Sequence, residues 1–351
     1  MEPAMKRRVL LATGVIGAAM IAAPALAQKR TKRFRMVLNT SFSGPQSFLL
    51  LAQDRGYLAE EGIEIEFTQG GGAYTAAPRM FAADFDFGYG DINSLIEVAA
   101  EHPQKAPVGI FALFNASPST IALNAAGPIR SPKDLEGKTL LGHSSDVALK
   151  TFPAFCKVNG VDASKVTIRT FGGGMRAQVE TMLGSENVHG VFGYVSTIAS
   201  AMAEGGKDLN NRLRHLRFSE HVPDLYGSTL MVSRKVLKEN REAIASVVRA
   251  FNRGLVAAVQ TPEAGIDAVM RRAPWNDRPA EMLRLKTTYE IEMAHPDGKR
   301  IGIGAIDPAR MTRAIALITE TNRLKRRPAL DEIFMPDFLP PLAERVHSIS
   351  S

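Results

Sequence analysis

Cysteine is almost missing from this chain: Cys156 is the only one in 351 residues. That excludes an intrachain disulfide and any metal site made of several thiolates. Set in Phe152-Pro153-Ala154-Phe155-Cys156, it reads as a small buried hydrophobe. Tryptophan is equally scarce, with Trp275 alone. Beyond the N-terminus no segment reaches the eighteen or so unbroken apolar residues that a membrane helix needs. There is no Gly-x-Ser-x-Gly elbow and no His-Glu-x-x-His, and the seven histidines are scattered. The triplet Gly70-Gly71-Gly72 is not followed by Gly-Lys-Ser/Thr, so it is no phosphate-binding P-loop. No repeat of 20–50 residues and no long low-complexity linker occurs. These absences count against the common hydrolases, metalloenzymes and repeat proteins.

Charge of one sign is only modestly in excess. The formal net charge is +7, and removing residues 1–27, with three Lys/Arg and one Glu, leaves +5. The densest basic clusters, Lys29–Arg35 and Arg323–Arg327, read as a post-cleavage tail and a helix end, so a nucleic-acid partner is not expected. The excess weakly favours an anionic solute.

The N-terminus reads as an address. Lys6-Arg7-Arg8 is a basic start, Val9 to Ala23 an apolar core diluted by Gly, Ala and Thr, and Ala25-Leu26-Ala27 a small-x-small cleavage site. Cleavage after Ala27 would leave a mature chain starting at Gln28 in the periplasm. An uncleaved anchor is the rival reading.

The rest is a series of strand-turn-helix units. Phe85–Ala99 is the type: a short apolar strand, a tight turn on Gly88-Tyr89-Gly90, then a helix with Ile92, Leu95, Ile96 and Ala99 on one face and Asp91 at its cap. Such joints gather backbone N–H groups and the positive ends of helices at the strand tips. Further strands are expected at Phe34–Leu38, Ile63–Phe67, Val108–Leu113, Thr120–Leu123, Lys138–Leu141, Val166–Thr170, Gly190–Tyr194, Leu216–Phe218 and Gly227–Val232. Asn115 lies in the polar break after Val108–Leu113, and Asp224–Gly227 reads as a return crossing. Asn240 is expected to cap a long amphipathic helix, and Ile306-Asp307-Pro308 to open another. The proline-rich stretch from Ile333 to Pro341 is expected to wrap the surface.

The segments SGPQSFLLLAQDRGYLAEEGIEIEF, DFDFGYGDINSLIE, IRSPKDLEGKTLLG and DLYGSTLMVSRKVLKENREAIASVVRAFNRG, in this order and spacing, resemble the solute-binding proteins of bacterial ABC importers. The resembling group handles nitrate, sulfonates, taurine and thiamine-pyrimidine precursors, and the likeness runs from about Arg33 to about Asn322. It implies an α/β chain of the type II periplasmic-binding-protein fold, with two α/β lobes joined by two hinge crossings. Residues 28–117 and 226–351 would form one lobe and 118–225 the other. It implies a small organic solute and an ABC importer permease with its ATPase as partners, a monomer, and no metal, cofactor or catalysis.

The strand tips nominate the ligand site. From the first lobe come Asn39, Ser41, Phe42, Gly72, Tyr74, Tyr89, Asp91 and Asn115. From the second come His143, Ser144, Ser145, Arg176 and Tyr194, with Tyr226 at a crossing. Aromatic walls suit a planar or partly apolar solute. Helix N-termini with Arg176 suit a carboxylate or sulfonate. A small organic anion, such as an aromatic carboxylate or a sulfonate, is therefore expected, ahead of an uncharged heteroaromatic. Each residue also has a plainer role: Asp91 as a cap, Arg176 on a solvated helix face, His143 in a turn, Tyr226 packing the hinge. The rival functions are an enzyme on the same fold, related to the thiamine-pyrimidine synthases, and a protein that presents its ligand to a sensor. The single cysteine and the export signal count against the enzyme. The first tip, Asn39-Thr40-Ser41-Phe42, departs from the tryptophan or histidine often found there in the family, so ligand identity does not transfer.

Overall fold

Among the described residues, ten strands form where short apolar or alternating runs occur: β1 (Lys32–Val37), β2 (Ile63–Thr68), β3 (Phe87–Asp91), β4 (Val108–Ala112), β5 (Ser119–Asn124), β6 (Thr139–Gly142), β7 (Thr167–Thr170), β8 (Gly190–Tyr194), β9 (Leu213–Arg217) and β10 (Ser228–Val232). The computed structural model describes Met1 and residues 31–204, 208–347 and 349. The expected export segment and its cleavage site lie outside the described residues.

The strands make two five-stranded sheets, in the orders β2-β1-β3-β10-β4 and β7-β6-β8-β5-β9. In each, one strand runs against the rest. β10 lies antiparallel between β3 and β4, and β5 lies antiparallel between β8 and β9. Each reversed strand directly follows a strand of the other sheet, so the chain crosses at 113–118 and returns at 218–227. The two sheets thus repeat one plan with the reversal at the same place.

Burial follows the sequence pattern. In β2, Ile63 and Ile65 face inward while Glu64 and Glu66 face solvent, the alternation of a half-wet strand. β3, β4 and β10 are buried throughout, as central strands covered on both faces must be. Ser47–Asp54 and Arg241–Gln260 cover one face of the first sheet, packing Leu49, Leu50, Val247 and Phe251 against Phe87 and Tyr89. Ala76–Ala83, Ile92–Glu101 and Pro308–Thr321 bring Met80, Leu95 and Met311 to the apolar cluster that includes Val37 and Met231. That cluster continues into the second sheet through Ile121, Leu140, Phe152 and Phe192.

Several expectations need correction. Gly88-Tyr89-Gly90 is not a turn but the buried body of β3. The glycines are there for close packing: a Cβ on Gly88 would lie 2.3 Å from Met80 Sδ, and one on Gly90 would lie 2.3 Å from Ala76 Cβ. β9 begins earlier than the expected Leu216. Asn240 sits at the N-terminus of Arg241–Gln260, but its side chain makes no cap bond there. It accepts from Lys32 Nζ at 3.2 Å instead. The C-terminal stretch does not merely wrap the surface, because Ile333, Phe334 and Phe338 are buried and Met335 N–H donates to Gly109 O at 2.9 Å.

Gly254 is the tightest seam between helices. A Cβ there would lie 2.3 Å from Phe48 O and 2.7 Å from Ala52 Cβ. Alanine favours a helix interior over glycine by about 1 kcal/mol, whereas overpacking costs about 1–3 kcal/mol, so the clash should prevail. Gly254→Ala is expected to lower the melting temperature by several degrees in a thermal melt. An unchanged or raised value would refute this packing argument.

Candidate functional site

The C-terminal ends of the parallel strands point into a cleft between the two sheets. A cavity of about 170 Å³ lies there, walled from both sides.

The first wall is the tip after β1. Asn39 is buried, and its Oδ1 accepts from Thr40 N–H at 2.9 Å and from Gln46 Nε2. Gln46 Nε2 also donates to Thr40 Oγ1 at 2.9 Å. Gly72 N–H donates to Asn39 O at 2.9 Å, which pins the glycine loop against this tip. Gly72 has a φ of +130° and would place a Cβ 2.8 Å from Ser145 Oγ, so only glycine fits where the two walls touch.

The second wall follows β6 and β8. Ser145 Oγ lies 2.9 Å from His143 Nδ1 and donates to Gly71 O at 3.4 Å across the cleft. Asp146 caps the next helical turn, with Oδ1 accepting from Ala148 N–H at 2.8 Å. Desolvation pushes its carboxyl up to about 6 against the pull of the Ala148 and Leu149 amides. Tyr194 closes this wall and donates to Asp91 Oδ2 at 3.5 Å, another contact between the sheets.

The cavity's cation and its innermost acid come from a segment that supplied no nominated residue. Arg284 stands on Arg278–Thr287 and Glu292 ends the π-helical turn Thr288–Glu292, where Met293 N–H reaches back to Thr288 O. Arg284 Nη2 donates to Thr197 Oγ1 at 3.0 Å, while its buried Nε has no hydrogen-bond partner among the described residues. Glu292 is 0 % exposed. Its Oε1 accepts from Ser196 N–H at 3.3 Å and its Oε2 from Thr288 Oγ1 at 2.9 Å. Burial pushes this carboxyl up, opposed by the Ser196 and Thr288 bonds and by Arg284.

Of the nominated residues, Asn39, Gly72, His143, Ser145 and Tyr194 line the cavity together. The others do not. Arg176 turns away to the far end of Val195–Ala203: it donates to Ala201 O at 2.9 Å and Glu204 O at 3.0 Å, and pairs with Glu180. Those are the orphan carbonyls of a helix C-terminus, a natural seat for a cation. Tyr226 packs the crossing, with its ring 3.9 Å from Arg310 Cζ and its hydroxyl accepting from Asp307 N–H. Asn115 ties the other crossing to His295, whose N–H it accepts at 3.2 Å. Tyr89 is fully buried against Phe48 and Phe114. Tyr74 is also buried, with its carbonyl accepting from Ser94 Oγ. Asp91 caps Ile92–Glu101 by accepting from Asn93 N–H at 2.9 Å, and supports the cavity only through Tyr194. Ser41 and Ser144 are exposed beside the cleft, and Phe42 packs on the first core.

Arg284 and Glu292 carried one unread signal. Arg284, Thr288 and Glu292 are spaced i, i+4, i+8, a polar stripe on a segment that also holds buried Leu285 and Tyr289. Such a stripe has to face something polar.

Residues 45–265 match the family model described as NMT1/THI5 like. Among solved structures, the chain is similar to the periplasmic aliphatic sulphonate binding protein SsuA from Escherichia coli, with TM-score 0.64 and 15% identity, covering 88% of this chain and 94% of that one. It is also similar to the alkanesulfonate-binding protein SsuA from Xanthomonas axonopodis pv. citri bound to MOPS, with TM-score 0.63 and 13% identity, covering 84% and 95%. A DSZB mutant in complex with biphenyl-2-sulfinic acid matches with TM-score 0.58 and 12% identity, covering 87% and 97%. No curated protein matches the sequence. At these identities the shared property is the fold, that of the periplasmic binding proteins.

Burial pushes the Asp91 carboxyl up to about 7, although the Asn93 bonds oppose it. A carboxyl raised on folding contributes stability that is complete below its unfolded value of about 3.9 and is lost as pH rises through about 7. Asp91→Asn retains an acceptor for Asn93 N–H and removes the charge. Melts from pH 5 to pH 8.5 are expected to show the variant gaining on wild type by a few degrees. A difference that stays flat across that range would contradict this.

Proposed function

This chain belongs to the NMT1/THI5-like family, and we propose from that premise that it is a periplasmic solute-binding protein. It captures a small organic anion between its lobes and delivers it to an ABC permease with its ATPase. Residues 28–117 and 226–351 form one lobe and 118–225 the other, with cleavage after Ala27 releasing the mature chain. Among the described residues no helix is long and apolar enough to cross a membrane.

One observation carries the reading. Arg284 stands in the cavity with Nη2 held by Thr197 and with Nε buried and unpartnered. A buried donor without an acceptor is costly, and an anionic oxygen relieves that cost. The wall around it mixes Phe114, Pro45, Val147 and Met175 with the polar tips, which suits an organic tail on a charged head. The alkanesulfonate-binding neighbours favour a sulfonate head over a carboxylate. The likeness to DSZB keeps an enzyme as the second reading. Against thiol chemistry, Cys156 is buried away from the cavity and burial pushes its thiol up to about 12.

A thermal-shift screen of the purified protein against alkanesulfonates, MOPS and aromatic carboxylates is the first test. A ligand at a hundred times its dissociation constant adds about 2.7 kcal/mol. Arg284→Ala is expected to weaken the best binder at least tenfold, about 1.5–3 kcal/mol, as measured by calorimetry. Arg176→Ala is expected to leave that affinity within a factor of two. Equal binding by wild type and Arg284→Ala would end this reading of the site.

A further inference from the structure

The Val195–Ala203 helix starts at the cavity wall, where an anion would be expected to sit. The place is already taken. Glu292, from the other side of the cleft, accepts the Ser196 N–H at that helix start, and Thr288 Oγ1 holds its second oxygen. Arg284 faces the same point: its Nη2 is on Thr197 of the same helix, and its charge pulls the Glu292 carboxyl down. Glu281 Oε1 also stands 3.9 Å from Arg284 Nη1. The protein therefore supplies two carboxyl groups to the arrangement of guanidinium and helix N-terminus, and Arg284 Nε is the donor left without a hydrogen-bond partner among the described residues.

We propose that Glu292 is a specificity-determining residue that restricts this site to monoanionic head groups and excludes inorganic dianions such as sulfate. The inference rests on the reading that Arg284 holds the ligand's charge. With Glu292 and with Glu281, 3.9 Å from Arg284 Nη1, both ionised, resident carboxylates already outweigh the single charge of Arg284. A sulfonate adds one charge to that set and can use the Nε–H. Sulfate adds two, beside a buried carboxylate and with Asp146 also on the wall. Like charges brought together in a poorly solvated cleft repel strongly, so the resident carboxylate rejects the second charge while tolerating the first. Size alone cannot make this distinction, because methanesulfonate and sulfate have similar tetrahedral heads.

The test compares sodium sulfate with sodium methanesulfonate as probes, by calorimetry at pH 8 and constant ionic strength. Wild type, Glu292→Gln, Glu292→Ser and Glu292→Gln with Arg284→Ala are measured. Wild type is expected to bind methanesulfonate at least tenfold more tightly than sulfate. Glu292→Gln is expected to gain at least tenfold in sulfate affinity, and the gain is expected to vanish when Arg284 is also replaced. Glu292→Ser, which frees the Ser196 N–H and opens space, should show the same gain and serves if the glutamine variant folds poorly. Sulfate binding unchanged by both Glu292 substitutions overturns the proposal, as does a gain that survives without Arg284. If wild type binds neither probe but the Glu292 variants gain sulfate through Arg284, the charge filter stands and the short-sulfonate reading of the ligand falls.

Discussion

Glu292 is a carboxylate with no solvent contact at the meeting of two sheets, and that placement is tolerable only because donors reach it from both sides. A buried charge costs several kcal/mol unless it is paired and hydrogen-bonded. Here the backbone of Ser196 comes from the second sheet's side, and Thr288 and the nearby Arg284 from the C-terminal helices. The chemistry of the cavity and the approach of the two lobes are therefore one problem.

Other contacts across the cleft are polar, beside an apolar one in which Ala73 and Tyr74 meet Val147 and Tyr194. Tyr194 meets Asp91, Ser145 meets the glycine loop, and Arg284 meets Thr197. Each is a single hydrogen bond of modest net worth, added to the apolar cluster that runs from one sheet into the other. Beside the crossings the materials differ. Arg310 is buried, stacks on Tyr226, and donates to Pro223 O and Leu225 O, which fixes the path of the return crossing.

The fold was legible because its signals are local. The alternation in Ile63–Phe67, the apolar run Val108–Leu113 and the proline opening the Pro308–Thr321 helix each act over a few residues, and the elements form where they indicate. Five of the nominated residues, Asn39, Gly72, His143, Ser145 and Tyr194, line the cavity on the same grounds: they are at strand tips, and strand tips face the cleft. Arg176 lies outside the cavity for a physical reason. A position just after a strand tip does not decide where a long side chain goes, and the carbonyls ending the Val195–Ala203 helix claim it.

Periodicity, turn chemistry and composition were enough to decide the α/β class, the order of the units, the two crossings and the absence of thiol-based metal chemistry. They act through neighbours in the chain, and so they can be read along it. Which cation enters the cavity, and that a carboxylate already holds the helix start beside it, was decided by tertiary packing. Arg284 and Glu292 lie more than eighty residues from Ser196 and Thr197 in sequence. Only the docking of the Arg278–Thr287 helix against the second sheet's side brings them to one point, because a buried charge takes whichever partners the folded chain places within reach.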